Sequence, residues 1–275
     1  MAKSAQPLSG GRLERKVAVI TGGANGIGLA CARLFATQGA LVVIADISVE
    51  RGRAAVNRIC GDGGEATFVR CDVRRPVDVA RMVEGAVDAY GGIDVAVLCA
   101  GVAIAQDFLS TSLEDWRTQV DINLTGMFLT GQACARHMVR QRRGGAIVTI
   151  ASTESFVGHA TLVPYVASKG GVAQLTRGMA VALADKDIRV NGVAPGSIMT
   201  DALVAFAKKP RVRQMQLSRT PLRRYGRPEE IAAVALFLAC DDSSYITGQL
   251  IVADGGRLAL HYTVPVDARA LGSLK

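Results

Sequence analysis

Aromatic residues make up only 5% of this 275-residue chain, and its three histidines, His137, His159 and His261, are scattered. A surface that stacks nucleobases needs aromatics interleaved with cations, and the two basic runs, 136–143 and 208–227, are not interleaved in that way. The net charge of +8 therefore reads as a solvated surface that attracts anionic ligands, and nucleic acid is not expected as a partner. The six cysteines, at 31, 60, 71, 99, 134 and 240, form no Cys-x-x-Cys and have no histidine at ligand spacing. No metal site or disulfide framework is expected, only free thiols in a reducing compartment. No apolar run reaches the ~18 residues of a membrane span, and residues 1–12 lack the apolar core of a signal peptide. A cytoplasmic protein with a flexible lead-in at 1–12 is the expectation. There is no Gly-x-Ser-x-Gly elbow, which argues against a hydrolase.

What is present is hydrophobic: 49% of the residues, enough for a large core. Short β-branched runs alternate with helical patterns. Strands are predicted at 16–20, 40–45, 66–70, 93–99, 146–150, 188–193 and 249–253, with helices between them at 49–59, from Pro76, at 113–140, 162–184 and 228–240. This alternation predicts an α/β, single-domain, Rossmann-like, doubly wound parallel sheet with helices on both faces over residues 13–256. A tail follows at 257–275.

The first strand empties into Thr21-Gly22-Gly23-Ala24-Asn25-Gly26-Ile27-Gly28, and a helix starts at once. Strand, glycine turn and helix N-terminus form the order that cradles a pyrophosphate on backbone N–H groups. Asp46 closes the second strand 18 positions after Gly28, where an acid bonds ribose hydroxyls and repels a 2′-phosphate, so NAD is expected over NADP. The competing reading of Asp46 is a cap on the next helix. Asp72, Val73, Gly101, Ser152 and Pro195 also follow strands, so one crevice at the strand ends can gather them.

Tyr165 and Lys169 lie four apart on a helical stretch and so share a face. A neighbouring cation favours an ionised phenol, which suits acid/base work. Such a pair on its own is also a common helix-surface coincidence. Ser152 offers a hydroxyl for a substrate oxygen, with Thr153 and Ser155 as neighbouring candidates.

Taken in order across roughly 17–256, these motifs, with Asn123, Pro195-Gly196 and Thr200, resemble those of the short-chain dehydrogenase/reductase family. The resemblance implies an NAD(H)-dependent oxidoreductase that interconverts a secondary alcohol and a ketone. Tyr165 would be the acid/base, Lys169 would lower the Tyr165 pKa and hold the nicotinamide ribose, Ser152 would orient the substrate oxygen, and Asn123 would fix a water in a proton relay. Cofactor contacts are implied for Gly22, Asn25, Gly26, Ile27, Gly28, Asp46, Asp72, Val73, Ala100, Gly101, Tyr165, Lys169, Pro195, Gly196, Ile198 and Thr200. A homotetramer, or a homodimer, is implied as well. Glu154, His159, Leu162 and the segment 198–215 are expected to wall the substrate pocket, with 198–215 as its lid. The chain departs from the family at Cys99, where Asn is common, which weakens local support of the sheet. It also carries Val181 where acyl-carrier-protein reductases of the family often place Arg. The alternatives are a 3-oxoacyl-carrier-protein reductase-like activity and a non-catalytic dinucleotide-binding protein. The tail, with Leu258, Leu260, Tyr262 and Val264, is expected to dock on a partner subunit.

Overall fold

The computed structural model describes residues 11–266; positions 1–10 of the expected lead-in and 267–275 of the tail lie outside the described residues. Seven strands, β1 (Val17–Thr21), β2 (Leu41–Asp46), β3 (Glu65–Arg70), β4 (Val95–Leu98), β5 (Gly145–Ile150), β6 (Ile188–Pro195) and β7 (Leu250–Ala253), form one sheet. Their order is β3-β2-β1-β4-β5-β6-β7, and every pairing is parallel. β1 and β4 are buried along their whole length, as the unbroken apolar runs of a sheet covered on both faces require. The edge strands β3 and β7 are only partly covered.

The period-2 alternation of each strand divides the core. Ala18 and Ile20 of β1, with Val42 and Ile44 of β2, pack under α1 (Gly26–Thr37), α2 (Val49–Gly61) and α9 (Pro228–Ala239). Val17 and Val19, with Leu41 and Val43, pack on the other face under α3 (Pro76–Tyr90), α5 (Gly126–Gln141) and α6 (Val163–Leu183). The chain runs outward from β1 to β3 and then returns to the far side of β1 at β4. That reversal opens a crevice beyond the carboxyl ends of β1 and β4, where ligands of open α/β sheets bind.

One expectation needs correction. The single helix predicted at 113–140 is α4 (Leu113–Val120) and α5 separated by a π-turn at Asp121–Thr125. α4 leans on α6 while α5 covers β4 and β5, and the wider turn lets one helical run serve both directions. The segment 198–215 is helical over most of its length. It contains α7 (Asp201–Ala207) and the start of α8 (Pro210–Ser218), where Pro210 can only begin a helix. Ala207, Leu217 and Tyr225 make a small core of their own there, joined by Met199, Leu203 and Val266. The described part of the tail therefore returns to its own chain, and Val264 N donates to the Ser218 carbonyl at 2.7 Å. Among the described residues no helix is long and apolar enough to cross a membrane.

Candidate active site

The glycine turn sits at the mouth of the crevice. Gly22 and Gly26 have φ of +64° and +53°, a region that side chains disfavour. A Cβ on Gly28 would lie 2.1 Å from the Gly22 carbonyl oxygen, so only glycine lets α1 start this close to the turn. Asn25 caps α1, and no acidic side chain occupies the first turn. The first N–H groups of a helix have no partner within it and carry the positive end of its dipole. These residues fit the pyrophosphate of a dinucleotide. Asp46 closes β2 beside the turn, its Oδ2 accepting from Ala24 N at 3.1 Å and its Oδ1 from Ser48 N at 2.9 Å. Ser48 in turn caps α2. The two readings of Asp46 are thus compatible: it braces the turn and leads into the cap, with carboxylate lone pairs left for hydroxyl donors.

Thr200 and Asp201 bring the start of α7 onto this turn. Asn25 Nδ2 donates to Asp201 Oδ2 at 3.1 Å, and the Thr200 methyl lies 3.2 Å from the place a Gly26 Cβ would take. Pro195 ends β6, Gly196 N donates to the Ala253 carbonyl at 3.0 Å, and Ile198 is buried behind them. Asp72 and Val73 follow β3 on the other side. Asp72 is held by Arg74, with contacts of 2.6 and 2.9 Å, and this partner pulls its pKa down. Its carboxylate is thus already committed to a cation.

β4 and β5 deliver the remaining groups. Cys99 and Ala100 follow β4, and their backbone N–H groups donate to Thr21 Oγ1 at 3.0 and 3.3 Å. These bonds tie the end of β4 to β1 through main-chain groups and do not depend on the side chain at position 99. Burial pushes the Cys99 thiol up to about 11, against the pull of Lys169, so it stays neutral. Asn123 lies in the π-turn and is fully buried. Its Oδ1 accepts from Val102 N at 2.8 Å, and its Nδ2 donates to the Val102 carbonyl at 2.8 Å and to Ser168 Oγ at 3.1 Å. Both amide protons are committed, so the side chain acts as a clamp on the loop after β4, with one lone pair of Oδ1 left over.

Ser152 follows β5, and Tyr165 and Lys169 stand on α6. Lys169 is 4% exposed and donates to the Ile150 carbonyl at 2.7 Å. Its Nζ lies 5.6 Å from the Tyr165 ring centroid. Burial lowers the Lys169 pKa to about 8. Burial also pushes the half-buried Tyr165 up to about 12; Ser152 acts in the opposite sense, while Glu154 and Cys99 raise it further. Desolvation is thus the largest influence on this phenol in this arrangement.

Glu154 holds a larger place than the pocket wall assigned to it. Its Oε2 accepts from Ser152 Oγ at 2.5 Å and from Thr153 Oγ1 at 2.9 Å. Ser152 and Thr153 therefore share one acceptor, whereas Ser155 turns away to donate to the Lys169 carbonyl at 2.8 Å. Thr21, Ser155 and Ser168 were not singled out in these bracing roles. Thr21 could have been found as the strand-end hydroxyl that opens the glycine turn; the other two have no signal, since they bond backbone or side chains far along the chain.

Comparison with known proteins places this site in context. Residues 22–257 match the family described as enoyl-(acyl carrier protein) reductase. The 3-oxoacyl-(acyl-carrier-protein) reductase FabG of Thermotoga maritima is 42% identical over 245 residues, which is 89% of this chain and 98% of that protein. The crystal structure of a short-chain type dehydrogenase/reductase from Mycobacterium marinum is 40% identical with a TM-score of 0.86, covering 90% of this chain and 97% of that one. A 7α-hydroxysteroid dehydrogenase complexed with NADH and 7-oxo glycochenodeoxycholic acid is 37% identical with a TM-score of 0.85, covering 89% and 95%.

Proposed function

The chain belongs to the short-chain dehydrogenase/reductase family of oxidoreductases, and from that premise we propose that it interconverts a secondary alcohol and a ketone with NAD(H). The observation that carries this reading is the meeting of Tyr165, Ser152 and buried Lys169 at the carboxyl end of β5, beside the glycine turn. When bound, the nicotinamide dinucleotide supplies or accepts the hydride. The protein then has to orient the reacting carbon and manage one proton. Tyr165 holds that proton at its phenol oxygen, giving it to a ketone oxygen or taking it from an alcohol. Ser152 bonds the same oxygen. Lys169 supplies the positive charge that brings the Tyr165 phenol toward a working range, and it holds the nicotinamide ribose. The turn from Gly22 to Gly28, with Asn25, Gly26 and Ile27, takes the pyrophosphate, and Asp46 takes the adenosine ribose. Asp72, Val73, Ala100, Gly101, Pro195, Gly196, Ile198 and Thr200 complete the cofactor's surroundings. The preference for NAD rests on the Asp46 carboxylate, which repels a 2′-phosphate.

The decisive variant is Tyr165→Phe. NADH oxidation with a panel of ketones should fall by about 10²–10⁴-fold while NADH affinity stays near that of the parent, and retained turnover would overturn the assignment. A 3-oxoacyl-carrier-protein reductase is the second reading, supported by the 42% identity to FabG. Including an acetoacetyl thioester in the same panel tests it. A homotetramer or homodimer in the cytoplasm completes the proposal, with light scattering to measure the assembly.

A further inference from the structure

Glu154 is a carboxylate at the reacting end of the site for which simple ketone reduction has no use. Tyr165 and Ser152 already hold one oxygen and one proton. Glu154 is half-buried, and its Oε2 takes both the Ser152 and the Thr153 hydroxyl protons. Its other oxygen, Oε1, has no hydrogen-bond partner among the described residues. A carboxylate accepts at both oxygens, so Oε1 keeps its accepting capacity beside the Ser152 hydroxyl.

Two consequences follow. Ser152 has a single proton, and while that proton points to Glu154 its oxygen presents only lone pairs. It then accepts from an alcohol O–H more readily than it donates to a carbonyl. The second consequence is reach. Ser152 Oγ is 2.5 Å from Oε2, and a substrate oxygen bonded to Ser152 lies one hydrogen-bond length farther, within about 5 Å of the carboxylate. A hydroxyl on the carbon next to the reacting carbon falls inside that span. A carboxylate on the same carbon would meet a like charge.

We infer that Glu154 is a specificity-determining residue whose free oxygen receives a second hydroxyl of the substrate. The favoured substrates are neutral vicinal diols and their α-hydroxy ketones, ahead of simple alcohols and of 2-hydroxy acids. The inference rests on the reading of Ser152 and Tyr165 as the groups that hold the reacting oxygen. A purely local role for Glu154, as the residue that closes the turn begun by Ser152, makes no such distinction among substrates.

The test uses matched series in which only the neighbouring group changes: 2-propanol, 1,2-propanediol and lactate; 1-phenylethanol, 1-phenyl-1,2-ethanediol and mandelate; the corresponding butane set; and cyclohexanol with 1,2-cyclohexanediol. Each is assayed with both NAD and NADP. Diols should exceed the plain alcohols in kcat/KM by about 10-fold or more, as expected for a charge-assisted hydrogen bond, mainly through KM. The preference should shrink in Glu154→Gln, vanish in Glu154→Leu, and be accompanied in both by better use of the hydroxy acids. Calorimetric titration of 1,2-cyclohexanediol against cyclohexanol, on parent and variants, should show the same loss in binding without turnover. If the parent oxidises alcohols without a diol preference, or the preference survives both substitutions, the inference falls and the dehydrogenase reading stands. If no alcohol in any series is oxidised with either dinucleotide, the dehydrogenase reading falls and takes the inference with it.

Discussion

Replacing Lys169 by methionine keeps most of the side chain's volume and removes an ammonium that the fold holds 4% exposed. Burial lowers its pKa from 10.5 to about 8, and each unit corresponds to about 1.36 kcal/mol. Keeping this lysine charged therefore costs the folded state about 3 kcal/mol at neutral pH, an order-of-magnitude figure. The folded pKa lies below the unfolded one, so between about 8 and 10.5 the unfolded chain binds more protons and stability rises with pH. The stability contributed by Lys169 is complete above 10.5 and is lost as the pH falls through 8. The variant has no such titration. Tyr165, raised by burial from 10 to about 12, titrates mostly above this window and is common to both proteins. Urea denaturation should accordingly show the parent gaining about 2 kcal/mol on Lys169→Met between pH 7.5 and pH 9.5. A stability difference that stays constant over that range would refute the claim that desolvation dominates this lysine.

Other expectations are simpler to read. Gly28→Ala drives a Cβ to 2.1 Å from the Gly22 carbonyl oxygen, a backbone atom that cannot swing aside; it should lose at least about 2 kcal/mol and weaken dinucleotide binding by calorimetry. Gly178→Ala on α6 meets nothing within 4 Å and should instead raise stability by about 0.5–1 kcal/mol. Asn123→Ala strips the Val102 N–H and carbonyl of their partner and should cost about 3 kcal/mol in urea unfolding. Asp46→Ala removes the charge beside the glycine turn, so the NAD-to-NADP ratio in kcat/KM should drop by about tenfold or more; an unchanged ratio would move cofactor choice elsewhere.

The parts of the molecule that were legible are those in which local pattern and global role coincide. The apolar runs of β1 and β4 announce a sheet covered on both sides, and the turn from Gly22 to Gly28 announces a helix that starts close to a strand. Neither needs knowledge of a distant partner. The π-turn was not legible, because Asp121, Ile122, Asn123, Leu124 and Thr125 suit an ordinary helix, and the extra width is imposed by what α4 and α5 pack against. Lys169 was placed on the correct face, but its bond to the Ile150 carbonyl involves a backbone atom, which has no signature in sequence. That bond and the surrounding desolvation decide the sign of its electrostatics. Glu154 was visible only as a lining residue, since its grip on Ser152 depends on how the turn after β5 folds back on itself.

The π-turn carries a consequence for how this segment can change. Loops usually absorb insertions and deletions because little is packed against them. Between residues 121 and 125 the chain has the opposite character, since each residue of a helix rotates the next by about 100°. Removing one residue would restore an unbroken hydrogen-bond ladder, the geometry a designer would choose. It would also swing either Asn123 away from Val102, or Met127, Cys134 and Met138 out of the core beneath α5. The irregularity works as a phase adjuster: it allows one long helix to satisfy two incompatible rotational settings, and a straighter helix here would make a worse protein.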